Sequence, residues 1–304
     1  MGIIMSEQMI LKTNGLYKRY GSKNILQDVS ITVNKGDIYG LVGKNGAGKT
    51  TLMRILTGLQ VPTEGTVEYG FDRKRLGSVG ALVELPSIYS DKTARENIVF
   101  QYINLGLKPD NSIDDLLKLV GLHNTGNKKV GKFSLGMRQR MGIAMAMVGD
   151  PEVLILDEPI NGLDPEGIIG VRDLLLSLNR DKGITIIISS HILSELAKLA
   201  TRFAFIGDGK ILRENTAYDI EHSGEKFLLV NSDRNEDLKV LLNSKGFNAE
   251  TDSAPGMVTV HSDSSVTDIV LLAHEEGIVI TEIKTTETDL EDYYIGIVGG
   301  GRNA

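Results

Sequence analysis

Residues 38–42, 153–156 and 184–188 are short, nearly unbroken apolar runs. They predict strands buried on both faces of a parallel sheet, because a strand with one wet face would alternate with polar positions. Residues 10–42 carry apolar stretches broken by turn signals: ILKTNGLYKRYG, then ILQDVSITVNKG, then DIYGLVG. That pattern predicts antiparallel hairpins leading into the first buried strand. A helix should begin near Gly48 and stop at Gly58. Residues 91–150 read as mostly helical. Leu116, Leu117, Leu119 and Val120 form one apolar stripe, and Ile143, Ala144, Met145, Ala146, Met147 and Val148 form another. Strand and helix alternate here, which predicts an α/β core.

The last third changes character. Residues 216–225 are polar and predict a linker. Beyond them FLLVNSD (227–233) precedes a helical stretch ending at Lys245-Gly246, then the extended FNAET. The same order recurs, with one insertion, as MVTVHSD (257–263), a helical stretch ending at Glu276-Gly277, and IVITEI. Each glycine sits where a helix C-cap is expected. Two β-α-β units in tandem predict a small α+β, ferredoxin-like domain, with a last helix over residues 289–295. The expected domains are residues 1–218 and 219–304.

Composition narrows the classes of function. The 304-residue chain has no cysteine, so a disulfide framework and a thiolate zinc site are both excluded. Its net charge of −7 and lack of basic runs speak against nucleic acid as a partner. No stretch approaches the roughly 20 apolar residues needed to span a bilayer. The start, MGIIMSEQMI, carries Glu7 too early for a secretory signal. It formally fits a myristoylation pattern at Gly2 and Ser6, but Met5 and Met9 are equally good starts. A soluble, intracellular protein is expected.

The chemistry begins where the first buried strand ends. Gly43, Lys44, Asn45, Gly46, Ala47, Gly48, Lys49, Thr50 and Thr51 fit G-x-x-x-x-G-K-[ST] at every fixed position. The glycines let backbone N–H groups approach phosphates, and the following helix aims its positive end at the same anion. Lys49 should reach the β- and γ-phosphates of ATP, with the Thr50 hydroxyl on Mg²⁺. The apolar run 153–156 then delivers Asp157 and Glu158 at a strand end, where α/β sheets bind ligands. Asp157 suits Mg²⁺, and Glu158 suits a general base that polarises the attacking water.

Further segments resemble the ATPases of ABC transporters over about residues 9–218. Tyr20 resembles the aromatic that stacks on adenine. Ser134-Leu135-Gly136-Met137-Arg138-Gln139-Arg140 resembles the family signature, usually LSGGQ; Leu135 and Met137 depart from its common Gly and Gln. Asn161-Gly162-Leu163-Asp164-Pro165 is similar to the D-loop, and His191 to the switch histidine that bonds the γ-phosphate. Glu84 stands where the family usually has a glutamine that senses Mg²⁺-ATP and touches the membrane partner. The resemblance implies a P-loop ABC domain with a mixed sheet core, an antiparallel β subdomain and a helical subdomain.

It also implies ATP and Mg²⁺ as cofactors, and a homodimer, or a pair with a related ATPase subunit, closing head-to-tail on ATP. Integral membrane permease subunits are the implied partners, placing the chain on the inner face of the cell membrane. Glu84, the signature and the C-terminal extension resemble subunits that protect bacteria against lantibiotics and bacitracin, which implies a peptide cargo handled by the permease. The alternatives are an exporter of another drug-like cargo, or a soluble ABC ATPase acting on ribosomes or DNA. Against the latter, the chain has one P-loop, and only residues 52–133 separate it from the signature. Against a catalytically dead subunit, Lys49, Asp157, Glu158 and His191 are all present.

Overall fold

The computed structural model describes residues 8–84, 87–223, 227–251, 257–261, 265–286 and 290–299. Gly2 and Ser6 lie outside them, as do Leu85, Pro86 and Asp289. The chain divides into two compact units, Met1–Ala217 and Tyr218–Ala304.

In the first unit β1 (Met9–Tyr20) and β2 (Lys23–Val29) form an antiparallel hairpin, followed by β3 (Thr32–Asn34), which also pairs with β1. β4 (Ile38–Val42) runs into the glycine-rich loop and α1 (Lys49–Leu56). β5 (Glu64–Tyr69) returns to pair with β1 and complete the antiparallel sheet. After β6 (Val79–Leu82) comes the helical region, α2 (Ala94–Asn104), α3 (Ser112–Leu119) and α4 (Leu135–Ala146). β7 (Val153–Asp157), α5 (Pro165–Lys182), β8 (Thr185–Ser190), α6 (Leu193–Ala197), β9 (Arg202–Gly207) and β10 (Lys210–Thr216) close the unit.

Among the described residues the central sheet has the strand order β10-β9-β4-β8-β7-β6. All its pairs are parallel except β9 with β10. Every residue of β4, β7 and β8 is buried, as their unbroken apolar runs predict. These strands are neighbours, so their C-terminal ends meet at one place. α1 is fixed between two sheets. Its Leu52, Met53 and Leu56 share a core with Leu11, Leu16 and Leu26 of the antiparallel sheet and Val153, Ile155 and Ile187 of the central one. Burying each such side chain stabilises the fold by about 1.5–3 kcal/mol, so the helix cannot shift cheaply.

The helical region is held by local devices. Thr93 and Glu96 form a capping box on α2. The Thr93 backbone N–H holds the Glu96 carboxyl down at about 2, so the box is complete at neutral pH and opens only in acid. Residues 143–148 are buried on every side, so the end of α4 is a core helix rather than the bearer of a single stripe.

α7 (Ala217–Ser223) starts on the last residue of the first unit, where polarity predicts a linker, and its remainder begins the second. Ile220 is buried there while Tyr218 is exposed, and Asp219 suits the positive end of the helix. Residues 217–223 of that segment are therefore helix and not coil, while Gly224 and Glu225 lie outside the described residues. Next come β11 (Phe227–Ser232), α8 (Asn235–Ser244), β12 (Asn248–Glu250), β13 (Val258–His261), α9 (Val266–Glu275), β14 (Ile280–Thr286) and α10 (Leu290–Gly299). The sheet is antiparallel in the order β12-β13-β11-β14, the ferredoxin-like arrangement. Gly246 and Gly277 follow α8 and α9 with φ of 90° and 68°, the left-handed stop that the sequence predicts at both.

Candidate functional site

The phosphate loop is shaped by what its glycines touch. A Cβ on Gly48, whose φ is +111°, would lie 2.8 Å from Leu26 Cδ2, and one on Gly43 would strike the Ile206 carbonyl. No other residue fits at either place. α1 has no acidic residue in its first turn and no side-chain cap, so its N-terminal N–H groups are directed at an anion without competition.

Lys49 is only 6% exposed, and its Nζ donates to the Gly43 carbonyl at 2.6 Å. The same ammonium lies 3.8 Å from Glu158 Oε1. Burial of this cation is tolerated because carbonyls and a carboxylate surround it. The Thr50 hydroxyl donates to Asp157 Oδ2 at 2.6 Å. Strand register sets Asp157 beside Ser189, whose hydroxyl donates to Asp157 Oδ1 at 2.6 Å and accepts the Glu158 N–H at 3.0 Å. Ser189 was not singled out by the sequence. Its signal was a hydroxyl at the end of a buried strand, two residues before His191.

Glu158 adopts φ of 50°, in the left-handed region that residues other than glycine rarely take. That turn separates its carboxylate from that of Asp157. Glu158 Oε2 accepts from His191 Nδ1 at 2.6 Å and from the His191 N–H at 3.3 Å. Lys49, Thr50, Thr51, Asp157 and Glu158 line one cleft of about 300 Å³, together with Asn45, Gly46 and Gly48. Lys23 and Ile25 of β2 line it too, which sequence reading missed because nothing in a hairpin strand marks its sheet neighbour.

A second cleft, of about 680 Å³, opens where α4 and α5 begin. Ser134 caps α4, accepting the Met137 N–H at 3.3 Å. Asp164 caps α5, accepting the Gly167 N–H at 2.9 Å, with Pro165 at the first helical position. The signature residues Ser134, Leu135, Gly136 and Met137 line this cleft beside Gly162 and Asp164. None of them lines the phosphate cleft.

Gly43, Lys44, Ala47 and His191 line neither cleft, although the Gly43 and Lys44 carbonyls accept from Lys49 and His191 holds Glu158; Tyr20 and Glu84 stand further apart. Tyr20, 45% exposed, ends β1; its hydroxyl accepts from the Gln60 amide, and Lys18 Nζ lies 5.3 Å from its ring centroid. It pairs with Lys23, so the hairpin places it one step from the phosphate cleft. Glu84 follows β6 with φ of 66°, and its carboxylate is paired with Arg54 of α1 rather than with Thr50 or Asp157.

Residues 26–161 match the family described as ABC transporter. The bacitracin transport ATP-binding protein BcrA of Bacillus licheniformis is 42% identical over 96% of this chain and 98% of its own length. The lantibiotic transport ATP-binding protein SrtF of Streptococcus pyogenes is also 42% identical, over 72% of this chain and 96% of its own. Among solved structures, a dimeric bacterial ABC transporter cassette superposes with a TM-score of 0.61 at 25% identity, covering 68% of this chain and 99% of that one.

Proposed function

The chain belongs to the ATP-binding, ATP-hydrolysing subunits of ABC transporters, and on that premise we propose how its residues work and what it moves. Glu158 is the general base. The observation that carries this is its bracing: Ser189 holds its backbone, His191 holds one carboxylate oxygen, and Lys49 lies 3.8 Å from the other. A base so fixed is aimed before substrate arrives. Lys49 holds the β- and γ-phosphates, and His191 bonds the γ-phosphate while steadying Glu158. Tyr20 stacks on adenine.

Thr50 and Asp157 fit Mg²⁺, because two hard oxygen donors stand 2.6 Å apart at the mouth of the phosphate loop. When bound, the ion neutralises charge on the β- and γ-phosphates. Ser134 and the α4 N-terminus of a second copy complete the site, since the signature lines a different cleft from the P-loop of its own chain. Two copies therefore close head-to-tail around ATP. Asp164 enters the partner's site with the signature.

The subunit works at the inner face of the cell membrane through separate permease subunits. Its cargo is an antimicrobial peptide, expelled by the permease. The bacitracin transport relative supports this class because its likeness runs through the C-terminal unit as well as the cassette. That unit is an accessory, regulatory or dimer-bracing domain.

The test is Glu158→Gln. ATP should still bind and a closed dimer accumulate, with turnover falling roughly 10²–10⁴-fold. Near-normal turnover would reject the assignment. Co-expression with a permease should then protect cells against bacitracin or a lantibiotic, and only with Glu158 intact.

A further inference from the structure

The two edges of the C-terminal sheet differ sharply. β12 has three residues, too short to template another strand. β14 has seven, Ile280–Thr286, with neither proline nor glycine, and among the described residues it pairs on one side only, with β11. Long open edges are normally blocked by a bulge, a proline or a like-charged run; β14 has one irregularity against β11, at Thr281 near its start, and is regular from Glu282 to Thr286. Here the charges are one of each sign. Glu282 and Lys284 stand on the same sheet face and pair at 2.6 Å.

The order Thr281-Glu282-Ile283-Lys284-Thr285 is self-complementary when reversed. We propose that β14 pairs antiparallel with β14 of a second copy of this chain, about a two-fold axis at Ile283. In that register Glu282 faces the partner's Lys284, and Lys284 the partner's Glu282. Directly opposite residues on antiparallel strands lie close enough for opposite charges to attract. A slip of one pairing step to either side sets Glu282 against Glu282 or Lys284 against Lys284, and like charges directly opposite are destabilising. Keeping both helical layers on one face excludes the registers between. The strand thus specifies one partner and one alignment.

This goes beyond the head-to-tail closure on ATP proposed above. The β14 contact needs no nucleotide, so it would keep two subunits associated after hydrolysis opens the cassettes. A single strand pair is a small interface, and its value lies in making the next closure intramolecular.

The chain has no cysteine, so one introduced thiol reports on one position. At the axis, Ile283 should lie about 4.5–5.5 Å from its mate between Cα atoms, within disulfide range. Thr281 should lie about 13 Å along the strands from its own mate. Full-length Ile283→Cys without nucleotide should therefore form a covalent dimer under mild oxidation, and Thr281→Cys should stay monomeric although it is exposed. Equal cross-linking of the two, or none at Ile283→Cys, overturns the proposal.

A second arm avoids any doubt about folding. Glu282→Lys gives a strand with two cations and Lys284→Glu one with two carboxylates. By sedimentation, each alone should associate about tenfold more weakly than the parent, and an equimolar mixture should recover the loss. Failure of the mixture to recover overturns the register. Neither readout passes through hydrolysis, so the result is independent of the Glu158→Gln test.

Discussion

Within one cassette the phosphate cleft and the signature cleft are built on opposite terms. In the first, Lys49, Asp157 and Glu158 all find counterparts in their own chain: two carbonyls, two hydroxyls and a histidine. In the second, Ser134 and Asp164 cap the helices they precede, and the rest of the surface is an open groove beside them. The comparison teaches where substrate binding stops being a property of one chain. On the proposed mechanism the phosphate cleft holds nucleotide alone, whereas the signature acts only on nucleotide that another copy presents.

Lys49→Ala should break the first cleft with the largest effect on binding. Hydrogen bonds to charged groups are worth about 1.5–3 kcal/mol, so nucleotide affinity should fall roughly 10- to 150-fold. Titration of the dilute, monomeric chain with a fluorescent ATP analogue measures it. Affinity within threefold of the parent would mean that the loop backbone and α1 alone hold the phosphates.

That cleft was largely legible in the sequence because its parts are local. A glycine spacing, a buried strand and a pair of strand-end carboxylates each mark themselves within a few residues. Ser189 was not legible, since its role comes from lying beside Asp157 in the sheet register, 32 residues away. The same holds for the Arg54 partner of Glu84 and for Ile25 in the cleft wall. The helix α7 was hidden for another reason: composition reports how wet a segment is, and an exposed helix face is as wet as a linker. The ferredoxin-like unit was readable because its order of strand, helix and capping glycine occurs twice.

Ser134→Ala should sharpen the difference between the clefts. ATP binding to the dilute chain should match the parent, while hydrolysis at saturating ATP should fall about tenfold, the loss of one hydrogen bond to phosphate. The lost α4 cap also costs about 1 kcal/mol of stability, read as a lower urea midpoint. Ser134→Asp separates the two roles. A carboxylate caps α4 as well as a hydroxyl does, so stability should hold, but its charge opposes the partner's phosphates and hydrolysis should fall further. Weakened binding of ATP to the monomeric Ser134→Ala chain would dissolve the distinction.

The smallest effect on the cassette itself is expected at Glu84, which belongs to neither cleft. Its ion pair with Arg54 is exposed, with side chains 60% and 37% accessible, and such pairs contribute about 0–1 kcal/mol. Arg54→Ala and Glu84→Ala should therefore leave the urea midpoint and basal hydrolysis close to the parent. The pair still joins α1, whose other end follows the glycine-rich loop, to the segment that follows β6. A carboxylate so placed can exchange its arginine for a donor on the permease, because it accepts hydrogen bonds but donates none while ionised. Peptide expulsion with the permease present should thus fall more than hydrolysis in Glu84→Ala, and less in Glu84→Gln, where one acceptor oxygen remains. Backbone strain offers a competing explanation, since Glu84 has φ of 66°. Glu84→Gly decides between them: it accepts that φ without cost but removes the carboxylate. If Glu84→Gly protects cells as well as the parent does, the backbone turn alone matters; if it fails like Glu84→Ala, the carboxylate carries the coupling.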